Sequence, residues 1–166
     1  MAASLFLSTN ASAQSTPKLS DPEIASVAVV ANQNDIGFAG IAQKHSKNAD
    51  ILNFAKTMAT DHKAVIDQAV ALVKRLGVTP KDNAVSKKML ADAEKTNASL
   101  RTKSGKAFDK AYIDNEVAYH KAVISAVEGV LIPQAQNAEL KALLEKVDPI
   151  LKTHLEHAEM VQSSLK

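Results

Sequence analysis

Apolar residues recur at alternating spacings of three and four along most of the chain, which is the pattern of amphipathic helices. No segment has the period-2 alternation or the β-branched enrichment of a strand. Capping residues, glycines and prolines divide the pattern into five segments. The predicted helices cover about residues 21 to 45–47, 48–76, 84–100, 106–131 and 137 to the end, with Pro133 ending the fourth helix and Pro149 inside the fifth.

The four long segments each have one continuous apolar stripe, whereas the third segment is shorter and only sparsely apolar. This pattern predicts an all-α fold, an up-and-down four-helix bundle with an additional short helix between the second and third long helices. One interior position of each stripe is polar. These four positions, called the polar layer below, are Asp35, His62, His120 and His154.

The depth of the polar layer is as informative as its composition. Each of its residues lies within about three residues, roughly 5 Å, of the midpoint of its helix. In an up-and-down bundle the four side chains therefore share one buried level, where unpartnered polar groups cost a few kcal/mol each. Three imidazoles and a carboxylate at one level predict a mononuclear divalent metal site, for which Zn²⁺ fits best and Fe²⁺, Mn²⁺ or Cu²⁺ are alternatives. A closed hydrogen-bond network of the Asp and the histidines is the plainer explanation.

Further side chains near the polar layer are candidates for additional ligands or for orienting the imidazoles. Glu116 and Met58 each precede a layer histidine by one turn, and His157 follows another by three residues. Each of these also has an ordinary explanation, as a flanking, core or surface residue. The full set of such candidates is Glu116, Met58, Asp61, Tyr112 and His157, with Tyr119 as a further orienting side chain.

Composition removes several classes of function. The chain has no Cys, which excludes disulfides and thiolate metal sites. Its 20 Lys and Arg and 18 Asp and Glu are interspersed, without the basic cluster that tracks phosphates, so no nucleic-acid partner is expected. No apolar run approaches the length of about 20 residues that spans a bilayer, so no transmembrane segment is expected.

The N-terminal stretch MAASLFLSTNASAQ combines a short apolar segment with the small residues Ala11-Ser12-Ala13, as in a signal-peptidase site. No Lys or Arg precedes the apolar segment, and it is about half the usual length. Residues 1–13 are therefore predicted to be the remnant of a signal peptide, shortened by truncation or by a start placed too far downstream. Residues 14–20 are predicted to form a flexible tail, and 21–166 a single helical domain. A disordered Ser/Ala/Thr tail is the alternative for the first segment.

Several short elements of the sequence resemble a known bacterial family. They are Phe54-Ala55, Met58 and Asp61-His62, then SGKAFDKAY with Gly105, Phe108, Asp109 and Tyr112 followed by His120, then Pro149, Leu151 and His154. Over about residues 21–164 the chain is similar to the family called domain of unknown function 4142. The resemblance implies a ferritin-like helical fold and an exported, periplasmic location in a Gram-negative bacterium. It implies no activity, and it places Glu in the family where this chain has Asp35.

Three functional hypotheses follow from the polar layer. The first is an exported metal-binding bundle that acts in metal binding, buffering or envelope stress protection rather than in turnover, as a monomer or dimer. The second is a metalloenzyme with an open position on the same metal, although the tightly apolar stripes give no sign of a substrate channel. The third is a structural or interaction module in which a buried Asp/His network fixes helix register. A di-iron site fits poorly, because it needs more carboxylates and Glu-x-x-His pairs than the chain offers.

Overall fold

The structure is a computed structural model that describes residues 18–165, and within this range it is a bundle of helices without strands. The predicted signal peptide and most of the predicted tail lie outside the described residues. No helix among the described residues has the length and apolarity needed to span a bilayer. The elements are α1 Asp21–His45, α2 Ala49–Leu76, α3 Ala84–Arg101, α4 Gly105–Ala126, a π-helical segment Val127–Leu131, the short α5 Ile132–Gln134 and α6 Ala138–Ser164.

The ends of the long helices follow the local chemistry of the chain. Ser20 and Glu23 form a capping box at the start of α1. The side-chain oxygens of Asn48 and Asn137 accept backbone N–H groups in the first turns of α2 and α6. Gly77 ends α2 in the left-handed conformation with φ 64°, which favours glycine. Apart from the end of the fourth helix, the predicted helix boundaries are therefore confirmed to within a few residues.

The end of the fourth predicted helix differs from the prediction. That helix was expected to run to residue 131 and to be broken by Pro133, but the α-helical pattern of α4 stops at Ala126. The chain then makes the π-helical segment Val127–Leu131 and continues as α5, with Pro133 in the first turn of that short helix. The proline has no backbone N–H to donate, and the N–H of the preceding Ile132 bonds to the carbonyl of Val127 in the wider π-helical pattern.

The four long helices do not simply alternate in direction, because α3 carries the chain back along α1 and leaves α2 and α4 parallel to each other and antiparallel to α1 and α6. The predicted up-and-down order is therefore wrong for α2 and α4. Ser46, after α1, donates from its hydroxyl to Asp109 at the start of α4. At the other end of the bundle, Leu19 donates its N–H to Gln134, and Arg75 near the end of α2 pairs with Glu139 at the start of α6. The helix α3 packs on α1, while α6 packs on α4 and α2.

The interior contains two apolar clusters that occupy opposite halves of the bundle. One includes Phe38, Met58 and Val117, and the other includes Ala31, Val65 and Val123. On every long helix the polar-layer residue falls between the two clusters, as Asp35 does between Ala31 and Phe38. The polar layer therefore divides the core.

Candidate metal centre

The structure brings the four residues of the polar layer together in the middle of the bundle. Asp35 is fully buried, His120 is 1% exposed, and His62 and His154 are each 4% exposed. The centroids of the three imidazole rings are 5.1–5.7 Å apart. One potential ligand atom from each histidine lies within 4.8 Å of the other two. Each long helix thus supplies one side chain to a single buried site.

Asp35 lies against two of the histidines. Its Oδ2 is 3.4 Å from His62 Nε2 and 3.6 Å from His120 Nε2. In a tetrahedron with bonds of 2.0–2.1 Å, ligand atoms are about 3.3–3.4 Å apart. The separations around Asp35 are therefore close to those between two ligands of one zinc-sized ion.

Each histidine of the layer uses its other ring nitrogen in a hydrogen bond that points away from the centre. His62 Nδ1 donates to Asn32 Oδ1 at 2.7 Å, and His120 Nδ1 donates to the carbonyl oxygen of Glu116 at 2.9 Å. His154 Nε2 donates to Asp61 Oδ2 at 3.0 Å. Because these oxygens are acceptors, the hydrogen of each neutral ring lies on the outward nitrogen. The inward nitrogen keeps its lone pair, as metal-bound histidines require.

The inward atoms have no hydrogen-bond partner among the described residues. They are His62 Nε2, His120 Nε2, His154 Nδ1 and both carboxyl oxygens of Asp35. Buried polar atoms are nearly always paired, so a concentration of unpaired acceptors at one point is unusual. The hydrogen bonds of a closed Asp/His network are not formed between the described residues, whereas the Asp35 and Glu116 carboxyls lie close enough to interact with each other.

Glu116 and Tyr112 extend the site along α4. Glu116 is fully buried, and its carboxyl, that of Asp35 and an imidazole nitrogen of His120 form a second group of atoms within 4.8 Å of one another. Its Oε2 is 3.7 Å from His120 Nδ1. The carboxyl oxygens of Glu116 and the hydroxyl of the fully buried Tyr112 also lack partners among the described residues. The polar layer and Glu116 together, namely Asp35, His62, Glu116, His120 and His154, are called the core cluster below.

Burial sets the protonation of the core cluster. It lowers the pKa of His62 to about 3 and that of His120 to about 4, and it lowers the pKa of His154. It raises the pKa of Asp35 to about 8, and it raises the pKa of Glu116 well above its usual range, with the nearby Asp35 carboxyl adding to the effect. At neutral pH the imidazoles are therefore neutral ligands, and without a cation the carboxyls hold their protons.

The donor set suits one divalent ion in both chemistry and charge. Three imidazole nitrogens and a carboxylate are ligands that zinc accepts in tetrahedral sites. If Asp35 and Glu116 both ionise, their two negative charges balance the two positive charges of the ion. A buried cluster without net charge avoids most of the cost of burying ions.

The remaining candidates lie in different surroundings. Asp61 contacts His154 from outside the cluster, as an orienting residue would. The hydroxyl of Tyr119 instead donates to the carbonyl of Ala31 at 2.9 Å. Met58 is fully buried in the apolar core, and the ring of His157 packs edge-on against Phe54 at 5.0 Å. His157 does not belong to the groups of converging ligand atoms among the described residues.

Asn32 is a site residue that the sequence pattern did not reveal. Its Oδ1 accepts from His62, while its Nδ2 donates to the carbonyl of Ala28 at 2.7 Å and so fixes the orientation of the amide. The available signal was its position three residues before Asp35, which puts both side chains on one face of α1.

A cavity of about 60 Å³ adjoins the core cluster. It lies in the half of the bundle that contains Ala31 and Val65, and its wall reaches Asp35, His62 and His120. The apolar stripes, which gave no sign of a substrate channel, thus leave an internal cavity beside the site. Small residues such as Ala25 and Ala28 line part of this wall, and they fill less of the interior than Leu or Val would at these positions.

Together the fold and the site define a class of protein, a helical bundle with a buried cluster of histidines and carboxyls at its centre. The chain belongs to the family described as Domain of unknown function (DUF4142), whose model matches residues 7–161. The family resemblance drawn from the sequence elements is confirmed. Comparison with curated proteins and with solved structures gave no match.

Proposed function

We propose that this protein binds one divalent metal ion at the centre of its bundle, with His62, His120, His154 and Asp35 as ligands. Glu116 balances the charge or provides a further oxygen ligand. One observation supports the proposal above all, namely that the lone pairs of three oriented imidazoles and the Asp35 carboxyl converge at a buried point without other partners among the described residues.

Zinc is the ion that this donor set favours. Imidazole and carboxylate ligands at tetrahedral spacing are typical of Zn²⁺, and a site without thiolates also accepts Fe²⁺, Mn²⁺ or Cu²⁺. The contacts of Asn32, Asp61 and the Glu116 carbonyl hold the rings in place before an ion arrives. Such preorganisation lowers the cost of ordering the ligands.

The biological role that we propose is metal binding or buffering in the periplasm, or protection of the cell envelope under stress. The signal-peptidase-like sequence near the N-terminus supports export. The crossover through α3, which leaves α2 and α4 parallel, supports a ferritin-like arrangement, with one ligand from each of the four long helices. The protein would act as a monomer or dimer.

A metalloenzyme is the second candidate function, and the cavity beside the core cluster favours it. An enzyme of this kind needs a path by which a reactant reaches the metal, and the cavity wall includes three of the proposed ligands. A structural module with a buried Asp/His network is the third candidate. The unpaired inward atoms count against it, because a network that fixes register would pair them.

A zinc titration with two matched histidine variants tests the proposal. His154 and His157 lie three residues apart on α6, but only His154 presents a ring nitrogen to the other ligands. We expect His154→Ala to lose tight zinc binding and His157→Ala to bind zinc as the unmodified protein does, in a competition assay against a chromophoric chelator. Equal affinities in all three proteins would contradict the assignment.

A further inference from the structure

We propose that the cavity beside the core cluster binds a small uncharged molecule of the size of dioxygen or nitric oxide and brings it to the metal. This inference rests on the proposed metal site, and it goes further by naming the class of ligand that reaches the site and the side from which it comes. Four features of the cavity support it: the chemistry of its wall, its volume, the ligands it exposes and its position beside the π-helical segment.

The wall of the cavity is almost entirely apolar. Apart from residues at the end next to the metal site, it consists of Ala, Val, Leu and Met side chains. The polar groups Asn32 and Tyr119 at that end already donate to backbone carbonyls. Asp35, His62 and His120 also reach the wall, but as ligands of the proposed metal they would have no free acceptors. A charged or strongly polar guest of the metal-loaded protein would therefore lose its hydration without gaining hydrogen bonds from the wall, so the cavity favours an apolar occupant.

The volume of the cavity limits the size of the occupant. At about 60 Å³ it is far smaller than pockets for metabolites or drug-sized ligands, which measure about 300–1,000 Å³. It is also less than half the size of an apolar cavity of about 150 Å³ that holds benzene or xenon. An acyl chain or an aromatic ring does not fit, whereas a diatomic gas does.

The cavity meets the proposed site on a single side. Asp35, His62 and His120 line its wall, whereas His154 does not. Three ligands of a tetrahedron define one face, and a molecule that enters through this face approaches the metal opposite the fourth ligand. Tetrahedral sites can expand in this way to five-coordination. The position opposite His154 is therefore where we place the guest.

The π-helical segment borders the same cavity. Its first and last residues, Val127 and Leu131, both belong to the wall. Segments of this kind are rare, appear mostly as insertions in α-helices and are frequent at functional sites. The helix that begins as α4 thus changes from α-helical to π-helical geometry at the place where it borders the cavity.

Xenon is a suitable probe of the cavity because it is apolar, monatomic and independent of the metal. We expect xenon to bind there in crystals of the protein under xenon pressure. Ala31→Leu fills the wall next to Asp35 and should abolish this binding, while Ala64→Leu on the exposed side of α2 should leave it intact. If Ala31→Leu does not fold, Ala28→Leu, one turn farther from the site, should have the same effect. Absence of xenon from the unmodified protein would overturn the proposal.

Nitric oxide tests whether the cavity leads to the metal. In the Fe²⁺-loaded protein, nitric oxide should give the electron paramagnetic resonance signal of an iron nitrosyl, and Ala31→Leu should lose or greatly slow it at unchanged iron content. If the chain binds iron but forms no nitrosyl, or if Ala31→Leu forms it normally, the inference is wrong while the proposed metal site stands. If the chain binds neither iron nor zinc, the proposed function fails and the inference fails with it, whatever the xenon result.

Discussion

At the scale of single residues, the orientation of each imidazole depends on a neighbouring oxygen. Asn32, the Glu116 carbonyl and Asp61 accept the ring hydrogens of the three layer histidines. Partners of this kind fix the tautomer and raise the basicity of the inward nitrogen. The affinity for a metal should therefore respond to substitutions of residues that never touch the ion.

Asp61 allows a direct test of this idea, because its side chain is 43% exposed and its replacement should not disturb the core. We expect Asp61→Ala to weaken zinc binding by about 10- to 100-fold, since His154 loses its acceptor. Asp61→Asn keeps an acceptor oxygen and should lose much less. The control is Asp67→Ala, which removes only a surface ion pair with Lys63. Equal zinc affinity of Asp61→Ala and the unmodified protein, measured by chelator competition, would show that this contact has no orienting role.

The carboxyls of the core cluster predict a pH dependence for the metal-free protein. The pKa of Asp35 is about 8 in the folded chain, whereas its ordinary value is 3.8. Between these two pH values the folded state therefore binds more protons than the unfolded state. Stability must therefore fall as the pH rises through this window. His62 and His120 have the opposite effect below their ordinary pKa of 6.5, because their pKa values in the folded chain are about 3 and about 4. Above pH 6.5 the histidines no longer make stability rise with pH, so only the destabilising contribution of the carboxyls remains.

We therefore expect the free energy of unfolding of the chelator-treated protein to decrease between about pH 6.5 and 8, by up to about 1.4 kcal/mol per pH unit for each carboxyl. Urea denaturation at several pH values measures this slope. Asp35→Asn should make the slope shallower, because the remaining contribution comes from Glu116. A free energy of unfolding that rises over this range would show that the buried carboxyls are not protonated in the folded state.

At the scale of helices, local sequence signals predicted most of the structure. Ser20 with Glu23, Asn48, Gly77 and Asn137 act at helix ends within the adjoining turn, so the boundaries could be found from short stretches of sequence. The spacing of the stripes likewise identified the four side chains that meet. The π-helical segment could not be predicted, because the apolar spacing before Pro133 is the same for an α-helix. The cavity depends on how four helices pack together, and no single stripe contains that information.

Alanine substitutions of two glycines test the roles assigned to residues at a helix end and inside a helix, because the expected changes in the free energy of unfolding have opposite signs. Gly77 has φ 64° after α2, where a side chain is strained, whereas Gly40 lies inside α1, where an added Cβ would meet open space. We expect Gly77→Ala to lower the free energy of unfolding by about 1 kcal/mol and Gly40→Ala to raise it by about 0.5–1 kcal/mol. Urea denaturation of both variants measures the difference. Stabilisation by Gly77→Ala would contradict the assigned role of the left-handed residue.

At the scale of the whole molecule, the core consists of two apolar clusters separated by a polar level. Apolar packing above and below buries the core cluster, and its inward acceptors have no partner among the described residues. An interior made only of apolar residues would usually be as stable or more stable. The proposed ion would account for this polar level, because it would accept the lone pairs and balance the two carboxylates.

The metal content of the protein, purified from cells without a histidine tag, tests this account most directly. Elemental analysis should find about one divalent ion per chain, with zinc as the leading expectation, because the proposed ligands converge on a single site. His120→Ala should reduce the content to background, since His120 belongs to both groups of converging ligand atoms. Unmodified protein that contains no metal, takes up none on dialysis against zinc and is no less stable than a zinc-treated sample would contradict the central claim.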